Sequence, residues 1–195
     1  HDIYPLDLSA LDKQRALFDH AQTMGGLQAL AHCAAVLRRR STVDEVTEED
    51  WDFQLDTNLK STFFLNRTAR DVMKANGTKG AIVNFSSQGW WTGGFGGSVV
   101  YAASKGGIVS MTRGLARSFA PEGIRINAIA PGGVDTSMLT DGQSPEAMKA
   151  FMSMIPMGRL AEPKEISQAV VFLASSASSY MTGALLNISG GQLMY

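Results

Sequence analysis

A single cysteine in 195 residues excludes an internal disulfide framework and fits a reducing compartment. No apolar run approaches the ~20 residues that a membrane-spanning helix requires, and the first residues lack the basic and apolar regions of a signal peptide. A cytoplasmic protein with no membrane partner is therefore expected. Neither sign of charge prevails: 17 Lys and Arg stand against 18 Asp and Glu, so no field exists to attract nucleic acid or anionic lipid. Clusters with metal-ligand spacing are missing, and no metal is expected. Glycine is plentiful, yet the richest stretch, Gln88 to Gly97, lacks the order Gly-x-Gly-x-x-Gly between a strand and a helix. Internal repeats, low-complexity tracts and domain linkers are absent too. What is left is one domain, long enough to bury about 70% of its unfolded surface.

The informative stretch is Tyr101-Ala102-Ala103-Ser104-Lys105. Tyr101 and Lys105 are four apart and share one face of a helix, while Ala81 to Phe85 reads as a buried strand that delivers Ser86 and Ser87 at its carboxyl end. A phenol, an ammonium and a hydroxyl can converge there. A free phenol titrates near ~10, too high for proton exchange at neutral pH, and a cation as close as Lys105 is expected to lower it. A serine hydroxyl aimed at the same point would hydrogen-bond a substrate oxygen as charge develops on it. Alternation along the strand allows only one of the two serines to point inward. The set suits carbonyl reduction or alcohol oxidation. Taken alone, Tyr-x-x-x-Lys on a helix usually marks a surface pair with a half-buried ring.

Thr57-Asn58-Leu59 comes before this stretch, and Arg125-Ile126-Asn127-Ala128-Ile129-Ala130-Pro131-Gly132-Gly133-Val134-Asp135-Thr136 comes after it. With its motifs in this order, from about Leu6 to Gly191, the chain resembles the short-chain dehydrogenase/reductase family. The resemblance implies an α/β fold, a Rossmann-like doubly wound parallel sheet in three α/β/α layers, and NAD or NADP as cofactor. It implies that Tyr101 exchanges the proton, Lys105 lowers its pKa and holds the ribose, and Ser87 polarises the substrate oxygen. Asn58 would hold a helix distortion and a water linked to Lys105. For the cofactor it implies Asp7 and the Leu8 backbone at a strand end near the adenine, and Cys33 and Ala34 beside the adenosine. Pro131 and Gly132 would seat the nicotinamide, the Val134 backbone its carboxamide, and Thr136 would lie near the phosphates. A homotetramer built through the helices of Thr47 and Tyr101 is implied as well.

The chain also departs from the family. His32-Cys33-Ala34-Ala35 stands where the family shows Asn-Asn-Ala-Gly, Ser189 often is an Asp, and the Ser87-to-Tyr101 spacing is one residue longer than usual. The family's first strand, glycine-rich turn, helix and second strand have no counterpart, which leaves a pyrophosphate no helix N-terminus to rest on. The 195 residues are therefore expected to be a fragment holding one incomplete domain. A catalytically inactive subunit with an assembly role is the alternative to an enzyme. The strand expected over Asp2 to Leu8 would face either an open gap or a direct ladder with the strand expected over Leu27 to Ala31.

Further expectations are local. Ser9 should cap a helix that stops at Gly25-Gly26, and Thr47, followed by Glu48, Glu49 and Asp50, should open a long one. A turn role fits Asp7 as well as an adenine contact. His32 reads as a core imidazole bonded to backbone, Cys33 as a small buried thiol, and Arg38-Arg39-Arg40 as a solvated charge run. Trp51, Leu55, Leu59 and Phe63 recur at helical spacing, as core or subunit interface. Trp90 and Trp91 suit a pocket wall or closure of the core, and Gly106-Gly107 a close approach of another helix. Met138, Met148, Met152, Met154 and Met157 suit an adaptable lid over an apolar ketone or alcohol, or packing between subunits. Strands are expected over Ile124 to Ala130 and Ala184 to Ile188, and Pro163 should open the helix between them.

Overall fold

The computed structural model describes residues 2–94 and 96–195. Four short apolar runs form strands β1 (Ala29–His32), β2 (Ala81–Phe85), β3 (Arg125–Pro131) and β4 (Leu185–Ile188), which lie side by side in chain order and are all parallel. Parallel neighbours need crossover connections, and helices supply them. Helix α1 (Gln14–Thr23) precedes β1, while α2 (Glu48–Leu55), a π-helical segment (Asp56–Lys60) and α3 (Ser61–Ala75) run unbroken between β1 and β2. A single turn, α4 (Gly89–Thr92), and the long α5 (Val99–Phe119) join β2 to β3, and α6 (Ser137–Thr140), α7 (Pro145–Ser153) and α8 (Pro163–Ala174) lead to β4.

Side-chain alternation along the strands sets the layers. Ile82 and Ile126 meet Phe18, Leu65, Met73 and Phe119 of α1, α3 and α5 on one face. Val83 and Ile129 meet Ile166 and Leu173 of α8 on the other. With both faces covered, β2 and β3 read as nearly continuous apolar runs, as buried parallel strands do. Among the described residues, no helix is long and apolar enough to cross a membrane.

The N-terminal expectation fails. Residues Asp2 to Leu8 form no strand, so neither an open gap nor a ladder arises there, and β1 pairs only with β2. The cause is local chemistry: Pro5 has no N–H to give, the Asp2 carboxylate accepts from Ile3 N at 2.9 Å, and the Asp7 carboxylate accepts from Ser9 N and Oγ at 2.9 and 2.7 Å. Ser9 is thereby spent on Asp7 and caps nothing; a 3₁₀ turn at Leu11–Lys13 leads into α1. The next strand begins two residues later than expected, because Leu27 turns into the core and pairing starts where the Gln28 carbonyl accepts from Ala81 N.

Thr47 does cap α2. Its Oγ1 accepts from Asp50 N while Asp50 Oδ2 accepts from Thr47 N, a reciprocal capping box. Along the same helix Asp50, Gln54 and Asn58 are buried polar residues four apart, and together they hold the chain that follows β1. The Asn58 amide accepts from Val36 N at 2.8 Å and donates to Val36 O at 2.9 Å, and Gln54 Oε1 accepts from Arg38 N at 3.2 Å. Asp50 takes two hydrogen bonds from Arg40, at 2.7 and 2.8 Å, and one from Arg38 at 3.2 Å. These arginines hold the Asp50 carboxyl well below the usual carboxylate range. The arginine run is therefore not simply solvated: Arg38 and Arg40 clamp a carboxylate that is 1% exposed.

Candidate active site

Strand β2 and helix α5 bring the expected groups together. At the carboxyl end of β2, Ser86 is buried and its Oγ donates to the Lys105 carbonyl at 2.9 Å, which ties the strand end to α5. Alternation then turns Ser87 the other way. Its hydroxyl accepts from Gly89 N at 3.2 Å and faces the Tyr101 phenol. The short α4 lies between this strand end and α5, and Ser87 is the serine beside the phenol.

Tyr101 and Lys105 lie one turn apart on α5. The Lys105 ammonium is buried, donates to the Phe85 carbonyl at 2.9 Å and lies 5.5 Å from the centre of the Tyr101 ring. Burial pushes its pKa down to about 8, slightly offset by the Cys33 thiol. Burial also raises the Tyr101 pKa; the Ser87 hydroxyl and then the positive charge of Arg39 pull it back. This differs from the expected lowering by Lys105. The ammonium is turned toward a backbone carbonyl and the ring face rather than the hydroxyl, and it is itself short of solvent.

Asn58 sits in the π segment, so a helix distortion does accompany it. Its amide also donates to Ser104 Oγ at 3.2 Å, and Ser104 Oγ donates to the Tyr101 carbonyl at 2.7 Å. The direct connection from Asn58 thus runs to the backbone of the tyrosine turn, and among the described residues it makes no bond to Lys105. Ser104 had no role in the sequence reading, although a serine three residues after Tyr101 can bond back to that carbonyl, which was the available signal. His32 is buried, but its Nδ1 lies 3.0 Å from the Thr62 hydroxyl rather than on backbone. That hydroxyl donates to Asn58 O at 2.6 Å, so Nδ1 carries the proton. Burial, with the Lys105 charge, pushes its pKa down to about 4, and the ring is neutral at pH 7.

The remaining cofactor candidates divide. Pro131 ends β3 and its carbonyl accepts from Gln88 N at 2.9 Å, while Gly132 N donates to Ile188 O at 2.9 Å. A Cβ on Gly132 would stand 2.8 Å from the Ser189 backbone, so glycine is needed for this approach. Val134 bridges to Ala161, and Thr136 is exposed at the start of α6. Cys33 and Ala34 follow the carboxyl end of β1; Cys33 is exposed, not a buried core thiol, and lies near enough to feel the Lys105 charge. Asp7 and Leu8 lie in the turn before α1 rather than at a strand end, and the Leu8 carbonyl accepts from the buried Gln14 amide. Two orphan features fit the nicotinamide-ribose end of a dinucleotide at this crevice. Among the described residues Lys105 spends one of its three N–H donors, and Gln88 Oε1, beside Gly132, is buried without a partner.

Other expected walls resolve differently. Trp90 and Trp91 pack edge-on at 5.2 Å and both meet Tyr195, and Trp91 is 59% exposed, so it does not close the core. Gly107 admits a side chain of its own chain: its missing Cβ makes room for Leu59. Trp51 and Phe63 lie on the surface rather than in the core.

Comparison with known proteins agrees with this geometry. A family model described as Enoyl-(Acyl carrier protein) reductase matches residues 1–192. The human (3R)-3-hydroxyacyl-CoA dehydrogenase is 33% identical over 196 residues, covering 100% of this chain and 74% of that protein. The 3-oxoacyl-[acyl-carrier-protein] reductase FabG of Thermotoga maritima is 36% identical over 193 residues, covering 97% of this chain and 76% of the relative. A crystal structure assigned to the short-chain alcohol dehydrogenases, from Sinorhizobium meliloti 1021, superposes with a TM-score of 0.90 at 34% identity over 97% of this chain and 75% of that one. The order of motifs, the parallel sheet with helices on both faces, and these matches along its whole length lead to one assignment: the chain belongs to the short-chain dehydrogenase/reductase family.

Proposed function

We propose that the protein is a nicotinamide-dependent oxidoreductase that interconverts a carbonyl and a secondary alcohol. The observation that carries this reading is the convergence of Ser87, Tyr101 and Lys105 at the carboxyl end of β2. When bound, NAD or NADP supplies or accepts the hydride. The chain's own residues do the rest. Ser87 donates a hydrogen bond to the substrate oxygen, and the Tyr101 hydroxyl gives that oxygen its proton in reduction and takes it back in oxidation. Lys105 offers its two unspent N–H donors to the ribose hydroxyls. Asn58, through Ser104, fixes the turn that carries Tyr101. Pro131, Gly132, Val134 and Thr136, with Cys33 and Ala34, form the remainder of the cofactor wall.

The exposed methionines Met138, Met154 and Met157 support an apolar body in the substrate. The open apolar groove of Leu55, Leu59, Phe63, Phe64 and Met111, between the α2–α3 helix and α5, supports assembly into a homotetramer through that face. We place the protein in the cytoplasm on the strength of its single, unpaired cysteine.

Titration of NADH and NADPH into the protein tests the reading directly: one of them should bind with a change in nicotinamide fluorescence and be oxidised when a ketone is added. Absence of binding by both would leave an assembly role as the better account. Among variants, Ser87→Ala should lower turnover by about 10²-fold, the scale of one lost donor to a developing oxyanion. Ser86→Ala should cost less turnover and act mainly on stability, by about 1 kcal/mol for its bond to the Lys105 carbonyl. Steady-state rates and thermal melts of the two variants check this, and a larger rate loss in Ser86→Ala would reverse their roles.

A further inference from the structure

We propose that Arg39 recognises an anionic group on the substrate, and that the substrate carries a carboxylate close to its reacting carbonyl. This deepens the oxidoreductase reading and rests on it for the word substrate. The argument begins with the chain after β1. Asn58, Gln54 and Asp50 hold residues 36, 38 and 40 against α2 and the π segment, one rung every second residue. The Arg38 and Arg40 side chains turn onto Asp50, whereas the Arg39 side chain turns the other way, to α6. There its Nη2 donates to the Met138 carbonyl at 2.8 Å, between α6 and the start of the helix that carries Tyr101, close enough for its charge to act on the phenol.

The three consecutive arginines thus have different work. Arg38 and Arg40 are committed to Asp50, and Arg38 to Glu49 as well. Arg39 makes no ion pair among the described residues and uses one of its five N–H donors, leaving an exposed fork between the 36–40 segment and α6. Its position is not loose. The Arg40 carbonyl accepts from Gly97 N, and a Cβ at Gly97 would collide with Arg40, so the segment is packed onto the entrance to α5.

A planar guanidinium with free parallel donors matches a carboxylate or a phosphate in two-pronged fashion. Packing of the segment onto the entrance to the Tyr101 helix favours a group borne by the substrate, near its carbonyl. It also has a chemical consequence. An unpaired carboxylate beside Tyr101 would oppose formation of phenolate, and Arg39 cancels that charge where the proton moves. Substrates of this class are keto acids and the corresponding hydroxy acids, with an apolar tail under the methionine-bearing segment.

The test compares acetoacetate with its neutral ethyl ester, which present the same ketone. Calorimetry with the wild-type protein and cofactor should show acetoacetate binding that Arg39→Gln weakens by about tenfold or more, and that Arg39→Lys weakens less. The kcat/KM ratio of acetoacetate to ester should fall by a similar factor in Arg39→Gln, mainly through KM. Equal acetoacetate affinity in wild type and Arg39→Gln would overturn the proposal. So would equal losses for acid and ester, which mark a structural role, or a loss confined to the cofactor, which assigns the fork to a cofactor phosphate. If no ketone is reduced at all, the oxidoreductase reading falls, while the calorimetric comparison still decides whether Arg39 binds the anion.

Discussion

Tyr101→Phe is expected to lower turnover by about 10²- to 10⁴-fold while the fold and cofactor affinity persist. The change deletes one hydroxyl and almost no volume. The phenol is partly buried and its pKa is raised, so in the resting site it is a neutral acid held beside Ser87. That state suits donation to a carbonyl oxygen. The neighbouring groups are placed for other work: Lys105 Nζ is turned to the Phe85 carbonyl, and His32 is a neutral ring engaged with Thr62. Steady-state kinetics, with circular dichroism as the control on folding, measure the effect. Turnover within tenfold of wild type would mean that another group carries the proton.

Lys105→Met is expected to remove activity and to make the cofactor-free protein more stable. Lys105 is 2% exposed and its pKa is pushed down to about 8 from an ordinary value near 10.5. Between those values the unfolded chain binds more protons than the folded one, so stability rises with pH from about 8 to 10.5; below 8 the full cost of burying the ammonium is present. At pH 7 that cost is roughly 3 kcal/mol at 1.36 kcal/mol per pKa unit, and losing the bond to the Phe85 carbonyl returns about 1 kcal/mol of it. Urea melts at pH 7 should therefore favour Lys105→Met by up to about 2 kcal/mol, with the gap closing as pH approaches 10. A variant less stable than wild type at pH 7 would show that the ammonium is well compensated where it sits. The trade of stability for function is common where a site needs a buried charge.

Much of the core was legible because its signals are local. Ala81 to Phe85 and the strand through Ile126, Asn127 and Ile129 are apolar runs of strand length. Thr47 with Asp50 is a capping signal three residues apart, and Pro163 opens α8 where a missing N–H costs nothing. Tyr101 and Lys105 were legible for the same reason, through helical periodicity, whereas strand alternation left Ser86 and Ser87 open and only the resemblance favoured Ser87. The failures were of another kind. Asp2 to Leu8 has strand-like composition, but a strand needs a neighbour; Asp2 bonds to His20 of α1 instead, and Asp7 turns the chain through Ser9. The roles of Arg38, Arg39 and Arg40 depend on Asp50 and Gln54, ten to sixteen residues away. No window of sequence distinguishes the middle arginine from its neighbours. The reversal of the Tyr101 shift was equally hidden, since it depends on where the Lys105 ammonium points and on how much water reaches both groups.

The rungs from Asp50, Gln54 and Asn58 give positions in the segment after β1 separate duties. Positions 36, 38 and 40 answer to the helix, and a change there is felt in folding. Arg39 bonds to α6 instead, and a change there is free of that constraint. A protein arranged in this way can drift in what it accepts without drifting in what it is. A point substitution at Arg39 leaves the rungs in place, whereas inserting or deleting one residue between 36 and 40 breaks their register with the helix. Such a scaffold tolerates variation in side chain far better than variation in length.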